Sequence, residues 1–126
     1  MAERAEEVRT AERFFEGHPR SLAIFDAVRT AVDAFGPADL RTSRSQVAIA
    51  RRRGFAWLWM PGRWLRHPAA ETVLSIALAR HERSPRFKQT VHPSPRIWMH
   101  HLELNGAADI DDEVVKWLRE AYEAAA

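Results

Sequence analysis

The chain of 126 residues contains no cysteine, which excludes disulfide bonds, thiolate metal sites, iron–sulfur clusters and a cysteine nucleophile. It also lacks a long apolar run. The longest, residues 73–79, contains a serine and has the length of a strand, whereas about 20 apolar residues are needed to span a bilayer. The acidic amino-terminal segment lacks the apolar centre of a signal peptide. We therefore expect a cytoplasmic protein with no membrane partner.

Signatures of catalysis and of metal binding are also missing. No serine occupies a Gly-x-Ser-x-Gly elbow, and the chain has no glycine-rich phosphate loop. His100 and His101 are adjacent in a predicted strand, so they point to opposite faces and cannot hold one metal ion. We predict no metal, no cofactor and no enzymatic activity. The alternative is a small enzyme that uses His101, Glu103 on the same strand face, and arginines from the loops.

Acidic residues are nearly absent from the middle of the chain. The net charge of +2 divides into −3 for residues 1–40, +10 for residues 41–101 and −5 for residues 102–126. Of the 19 basic residues, 17 are arginines, which suit contact with phosphate or carboxylate and stacking on rings. One interpretation is a basic face that attracts an anionic partner. The other is that acidic terminal helices neutralise a basic sheet, or that the arginine bias reflects a GC-rich genome.

The composition, 46% apolar and 29% charged, is that of a soluble globular domain. We predict one α+β domain over residues 1–126, with helices in residues 1–36 and a sheet plus a carboxy-terminal helix in residues 37–126. The predicted order is α-α-β-β-β-β-α, with a mainly antiparallel four-stranded sheet whose helices cover one face.

The predicted strands are residues 46–50, 55–60, 71–79 and 97–104. Residues 80–96, with three prolines, are predicted to be a loop, and residues 38–41 are considered as an extra strand. The predicted helix caps are Ser21 for the second helix and Asp109 or Asp111 for the third.

Alternation along the strands assigns side chains to the two faces of the sheet. One face of the third predicted strand has large aliphatic residues, which we expect to meet the helices: Leu74, Ile76 and Leu78. The opposite face has the small residues Ser75 and Ala77. Beside Trp57 and Trp59 of another strand, they predict a shallow trough with aromatic walls that suits a ring or a base. The alternative is that both tryptophans belong to the core, because tryptophan is usually mostly buried.

The basic middle block interleaves arginines with aromatic residues, the combination that phosphate contact and base stacking require. The pattern runs through residues 51–67 and returns in residues 83–88. It fits nucleic acid, and it fits a phosphorylated metabolite or an acidic protein segment equally well. The candidate binding residues are Arg51, Arg52, Arg53, Trp57, Trp59, Arg63, Arg66, Arg86, Lys88 and His101.

Several short motifs follow one another at a characteristic spacing. They are Arg44 to Ile49, Arg53 to Trp59, Leu74 to Ile76, Ser84 to Lys88, Trp98 to Leu104, and Trp117-Leu118 with Ala121-Tyr122. Over roughly residues 20–125 this pattern resembles a bacterial family of the domain of unknown function 5655 type. Some longer relatives in that family are labelled predicted transport proteins, a label that does not fit a chain without a membrane segment. The resemblance implies a cytoplasmic α+β domain and supplies no activity, substrate or site.

The leading functional prediction is a non-enzymatic binding module with a basic, tryptophan-bearing surface for an anionic ligand such as nucleic acid. Besides the enzyme alternative, a third interpretation is an interaction domain that self-associates through the sheet face left free of helices. Exposed apolar patches beyond a few hundred Å² usually mark an interface. On this ground we also predict a homodimer.

Overall fold

The computed structural model describes residues 2–126. Its helices are α1 (Ala2–Phe14), α2 (Pro19–Phe35) and α3 (Asp112–Ala124). Its strands are β1 (Asp39–Thr42), β2 (Val47–Ala50), β3 (Gly54–Trp59), β4 (Thr72–Leu78), β5 (Gln89–Ser94) and β6 (Ile97–Leu104). They form one antiparallel sheet in the order β1-β2-β3-β4-β6-β5. Within residues 2–126, no helix combines the length and the apolar character needed to cross a membrane.

The α+β class and the antiparallel sheet are confirmed, but the prediction of four strands is wrong because the sheet has six. The segment considered at residues 38–41 forms the edge strand β1. The predicted loop at residues 80–96 contains β5, which forms the other edge and pairs only with β6. An edge strand tolerates proline, since one row of its N–H groups has no partner strand, and Pro93 lies where the register of β5 shifts.

All three helices pack on the same face of the sheet, called here the helix face. Buried side chains from the helices and from that face form one core cluster, to which the sheet contributes Leu40, Val47, Ile49, Leu58, Leu74, Ile76, Leu78, Leu102 and Leu104. The prediction for Leu74, Ile76 and Leu78 is therefore confirmed. The opposite face, called here the open face, is the one against which none of α1, α2 and α3 packs. Val73 and Ala77 on that face are buried outside the core cluster.

The helix ends follow the sequence signals in part. Asp111 caps α3 and accepts a hydrogen bond of 3.1 Å from the Val114 N–H group. The prediction of Ser21 as a cap is wrong, because α2 begins with Pro19 and Ser21 lies inside the first turn. The Ser21 hydroxyl is fully buried and lies 2.6 Å from a Glu71 carboxylate oxygen. This serine therefore joins α2 to the start of β4.

Candidate functional site

A shallow cavity of about 380 Å³ lies on the open face. Its floor follows one row of residues that lie opposite one another on successive strands: Ala48, Trp57, Ser75 and His101. The lining residues are Gln46, Trp57, Trp59, Ser75, Met99 and His101. We call this cavity the trough. The small side chain of Ser75 at its centre lies between bulkier neighbours, as the strand alternation predicts.

The two tryptophans form walls of the trough and do not belong to the core. Trp57 and Trp59 are half-buried, whereas Ala56 and Leu58, the residues that precede each of them, are fully buried on the helix face. The alternative interpretation that placed both tryptophans in the core is therefore wrong. Gly54 has a role in this placement, because a Cβ atom there would lie 2.7 Å from Trp57 Cζ2. The Trp57 ring thus lies over the backbone of the glycine that starts β3.

Phe55 departs from the alternation that would group it with the two tryptophans. It is buried in the core and its ring meets Tyr122 of α3 edge-on, with 5.7 Å between ring centroids. The register between β2 and β3 shifts at Ile49 and Ala50, close to this residue. Such an irregularity changes the direction of side chains beside it. Phe55 is therefore not part of the trough, whose lining includes Trp57 and Trp59.

A chain of hydrogen bonds crosses the floor of the trough. The Trp59 indole Nε1–H donates to Ser75 Oγ over 2.9 Å. Ser75 Oγ lies 2.6 Å from His101 Nδ1. The edge of the Trp59 ring also meets the imidazole, with 6.1 Å between centroids. Trp59, Ser75 and His101, on three neighbouring strands, therefore hold one another in a fixed arrangement.

The two adjacent histidines have different surroundings. His100 is fully buried on the helix face, while His101 is half-buried on the open face. Burial in the trough, followed by the nearby charge of His100, lowers the pKa of His101. The far ring nitrogen of His101, Nε2, forms no hydrogen bond within residues 2–126 and is not among the buried atoms without a partner. It therefore remains open to solvent.

The predicted arginine cluster at residues 51–53 contacts α3 instead of the trough. Arg51 Nη1 donates to the Tyr122 carbonyl over 2.9 Å, and its guanidinium lies 4.0 Å from the centre of the Tyr122 ring. Arg53 donates to the Ala124 carbonyl over 2.9 Å, and the Arg52 backbone N–H donates to the Ala125 carbonyl. These carbonyls end the helix and bear its negative partial charge. The turn between β2 and β3 therefore caps α3.

Two further predicted arginines also bind helix ends. Arg63 donates to the Phe14 carbonyl at the end of α1, and its guanidinium lies 4.3 Å from the centre of the Phe14 ring. Arg86 pairs with Asp111 and Glu113 at the start of α3, at 3.0 and 2.9 Å. The hydrogen bond from Val114, followed by that from Arg86, lowers the pKa of Asp111. Much of the +10 block is therefore occupied by contacts within the protein.

Other basic side chains remain exposed. Arg66 and Lys88 form no side-chain hydrogen bond or ion pair within residues 2–126. Arg44 is also exposed, two residues before Gln46 of the trough. Arg41, at the β1 end of the row that contains Trp57 and Ser75, pairs with Asp39 over 3.6 Å. Within residues 2–126 the lining of the trough contains no arginine or lysine, so these cations are its neighbours along the chain or across the strand register rather than part of the lining.

Sequence reasoning missed two lining residues, Gln46 and Met99. Gln46 precedes β2 and lies two residues before Ala48, so alternation along the strand would have placed both on the open face. Met99 lies two residues before His101 in β6 and therefore points to the same face. The bond between Ser75 and His101 depends on the register between β4 and β6, which no local pattern specifies. Within the part of the chain that the structure describes, no group of three or more carboxylate or histidine side chains is arranged to hold a metal ion.

Comparison with known proteins yields a family without an assigned activity. No curated protein and no solved structure matches the chain. A family described as a domain of unknown function, DUF5655, matches residues 11–125. The match begins within α1 and extends beyond α3, so it includes all six strands and every residue of the trough. Because this match spans most of the sequence, the chain belongs to the DUF5655 family.

Proposed function

We propose that this protein is a binding module whose open sheet face takes the planar ring of an anionic ligand. The observation that carries the proposal is the trough, in which two half-buried tryptophans flank a polar floor of Ser75 and His101. Aromatic rings beside a few polar groups are typical of sites that bind a flat ligand. Because α1, α2 and α3 all pack on the helix face, a ring can reach the open face from solvent.

Basic residues near the trough support an anionic ligand. Arg44 precedes the lining residue Gln46, and Arg66 follows Trp64, whose ring meets Trp59 edge-on at 6.2 Å. A base-like ring attached to a phosphate would use both the tryptophans and these cations. That chemistry occurs in a free nucleotide and in single-stranded nucleic acid. The single strand is the ligand tested first, because Trp57 and Trp59 offer two aromatic surfaces for neighbouring bases.

The test measures binding of a fluorescent ten-residue oligothymidylate at several salt concentrations, with thymidine monophosphate in a parallel arm. The affinity for the oligomer should fall with salt, with a log–log slope of about 0.7 per phosphate neutralised. Trp57→Ala should weaken binding by about 1–3 kcal/mol if the ring stacks on a base. Trp98→Ala is the matched control, because Trp98 stacks on His92 and does not line the trough.

The charge contribution is tested separately. Arg44→Ala and Arg66→Ala should each reduce the salt slope, whereas Arg119→Ala on the exposed side of α3 should leave it unchanged. Binding of thymidine monophosphate with no gain from the oligomer would identify a free nucleotide as the ligand. No binding of either probe at low salt overturns the proposal.

A small enzyme is the second candidate, and the contact between Ser75 and His101 favours it. A hydroxyl 2.6 Å from an imidazole of lowered pKa resembles a nucleophile with its general base. Glu103 lies on the same face, but it forms no hydrogen bond with His101 within residues 2–126. Hydrolysis of p-nitrophenyl acetate tests this candidate. A rate that Ser75→Ala abolishes would support it, and equal rates would eliminate Ser75 as the nucleophile.

A further inference from the structure

We propose that His101 determines the specificity of the trough by presenting a fixed N–H donor, which selects ligand rings that have a carbonyl acceptor. The proposal rests on the proposed function, because it concerns which ring that site takes. The proposal follows from the direction of two hydrogen bonds on the floor of the trough, through which Trp59 and Ser75 hold the imidazole of His101. Ser75 therefore acts as a positioning residue for His101.

The direction of each hydrogen bond follows from the chemistry of its groups. An indole N–H can only donate, so Ser75 Oγ accepts from Trp59 over 2.9 Å. The Ser75 proton then has His101 Nδ1 as its acceptor at 2.6 Å. The reverse arrangement, with the proton on Nδ1, would leave the Ser75 proton without an acceptor within residues 2–126. Ser75 is only 4% exposed, and buried hydroxyl groups normally have partners.

This direction assigns the proton of the neutral imidazole to Nε2. Because Nδ1 accepts from Ser75, the other ring nitrogen must be the donor. The lowered pKa of His101 supports a neutral ring near pH 7. Nε2–H has no partner within residues 2–126 and is open to solvent. A bound ring with a carbonyl group would supply the acceptor that this donor lacks.

The first test compares two ten-residue oligomers with the wild-type protein. One is oligothymidylate, and the other has each thymine replaced by 2,4-difluorotoluene, which keeps the shape but loses the strong acceptors. Wild-type protein should bind oligothymidylate about 3- to 10-fold more tightly, the range of one net hydrogen bond. His101→Phe keeps a flat ring and loses the donor, so it should bind the two oligomers equally.

The second test measures the positioning role of Ser75 without any ligand. Long-range proton–nitrogen correlation spectra distinguish a protonated ring nitrogen from an unprotonated one. In the wild-type protein, His101 should show a proton on Nε2 and none on Nδ1. Ser75→Ala should yield a mixture of both tautomers and reduce the preference for thymine. Ser75→Thr, which keeps a hydroxyl, should restore the wild-type spectrum and preference, while Ser45→Ala in the exposed loop is the control.

The outcomes separate the two proposals. Binding of both oligomers with equal affinity by the wild-type protein overturns the role of His101 and leaves the trough as a stacking site. A proton on Nδ1 in the spectrum of the wild-type protein also overturns it. Failure of both oligomers to bind at low salt overturns the proposed function itself.

Discussion

Neighbouring residues of β3 lie on opposite faces of the sheet, and their substitution should destabilise the protein to different extents. Leu58 is fully buried in the core, so Leu58→Ala should lower the free energy of unfolding by about 2–5 kcal/mol. Trp57 on the open face is half-buried, so Trp57→Ala should cost about 1 kcal/mol despite removing a larger side chain. Urea denaturation of both variants measures the difference. A greater loss for Trp57→Ala than for Leu58→Ala would show that the tryptophan belongs to the core.

The neutral imidazole of His100 accepts a hydrogen bond from the segment that follows β4 and so holds this segment in place. Its Nδ1 lies 3.0 Å from the Trp98 carbonyl, to which it donates, and its Nε2 accepts from the Glu82 backbone N–H over 3.0 Å. The Phe87 ring packs against the imidazole, with 4.8 Å between centroids. Burial lowers the pKa of His100, while the hydrogen bonds to the Ile76 and Trp98 carbonyls oppose this shift. A second proton, on Nε2, would face the Glu82 N–H group.

This histidine should make stability dependent on pH. Because the folded pKa lies below the unfolded value of about 6.5, folding favours the neutral ring. The free energy of unfolding should therefore be constant above that value and should fall as the pH falls through it toward the folded pKa. His101, whose pKa is also lowered, contributes in the same direction. Nuclear magnetic resonance titration should find the midpoint for His100 lower in the folded protein than in urea, and an equal or higher midpoint would contradict this.

At the scale of the element, α3 is held at both ends by arginines from the sheet side of the molecule. Arg86 pairs with the acidic first turn, and Arg51 and Arg53 bind the last carbonyls. The helix dipole favours positive charge at the carboxy terminus, where Arg51 and Arg53 bind. It favours negative charge at the amino terminus, where Asp111 and Glu113 lie, and Arg86 pairs with these carboxylates. This arrangement explains part of the contrast between a basic middle block and acidic terminal segments, because the two are folded against each other.

The cap of α3 leads to a stability prediction. The double variant Arg51→Ala/Arg53→Ala loses two hydrogen bonds to helix carbonyls and the contact of Arg51 with the Tyr122 ring. It should lower the free energy of unfolding by about 1–3 kcal/mol. Arg66→Ala, an exposed arginine without such contacts in residues 2–126, should change it by less than about 0.5 kcal/mol. Equal urea midpoints for the two variants would contradict the cap.

At the scale of the whole molecule, α1, α2 and α3 all pack on the helix face of the sheet. The large apolar side chains that are exposed within residues 2–126 are Trp64, Leu65 and Val91. Val91 pairs with Met99 and shares the open face, while Trp64 meets Trp59 at the edge of the trough. Apolar surface is therefore continuous between the trough and its surroundings.

We predict that the protein forms a homodimer through the open face. Sedimentation at tens of micromolar should detect a dimer, because association removes exposed apolar side chains from water. Trp64→Ser with Leu65→Ser should shift the population toward monomer. Oligothymidylate that occupies the trough should do the same, since both partners need the same surface. Monomer alone at these concentrations would contradict the prediction.

The sequence by itself determined the elements whose signals are local. The helical segments at the two ends of the chain, the cap of α3 within the pair Asp109 and Asp111, and the alternation of β4 are consequences of short-range geometry. The same alternation placed Ser75 on the face away from the helices and His100 and His101 on opposite faces. The edge strand β5 was missed because Pro93 and its polar residues have a loop composition, and pairing with β6 makes it a strand.

Tertiary structure alone decided which charges and rings meet. Arg51 and Arg53 lie far from α3 along the chain, so no spacing shows that they cap its last turn. Alternation left open whether Trp57 and Trp59 face the helices or the trough, and the register of β3 against β4 decided it by placing Trp57 opposite Ser75. The contact between Ser75 and His101 required the register of two strands separated by β5 in the sequence. The physical reason is common to these cases: non-local contacts depend on how elements dock, and docking is set by the burial of the whole core.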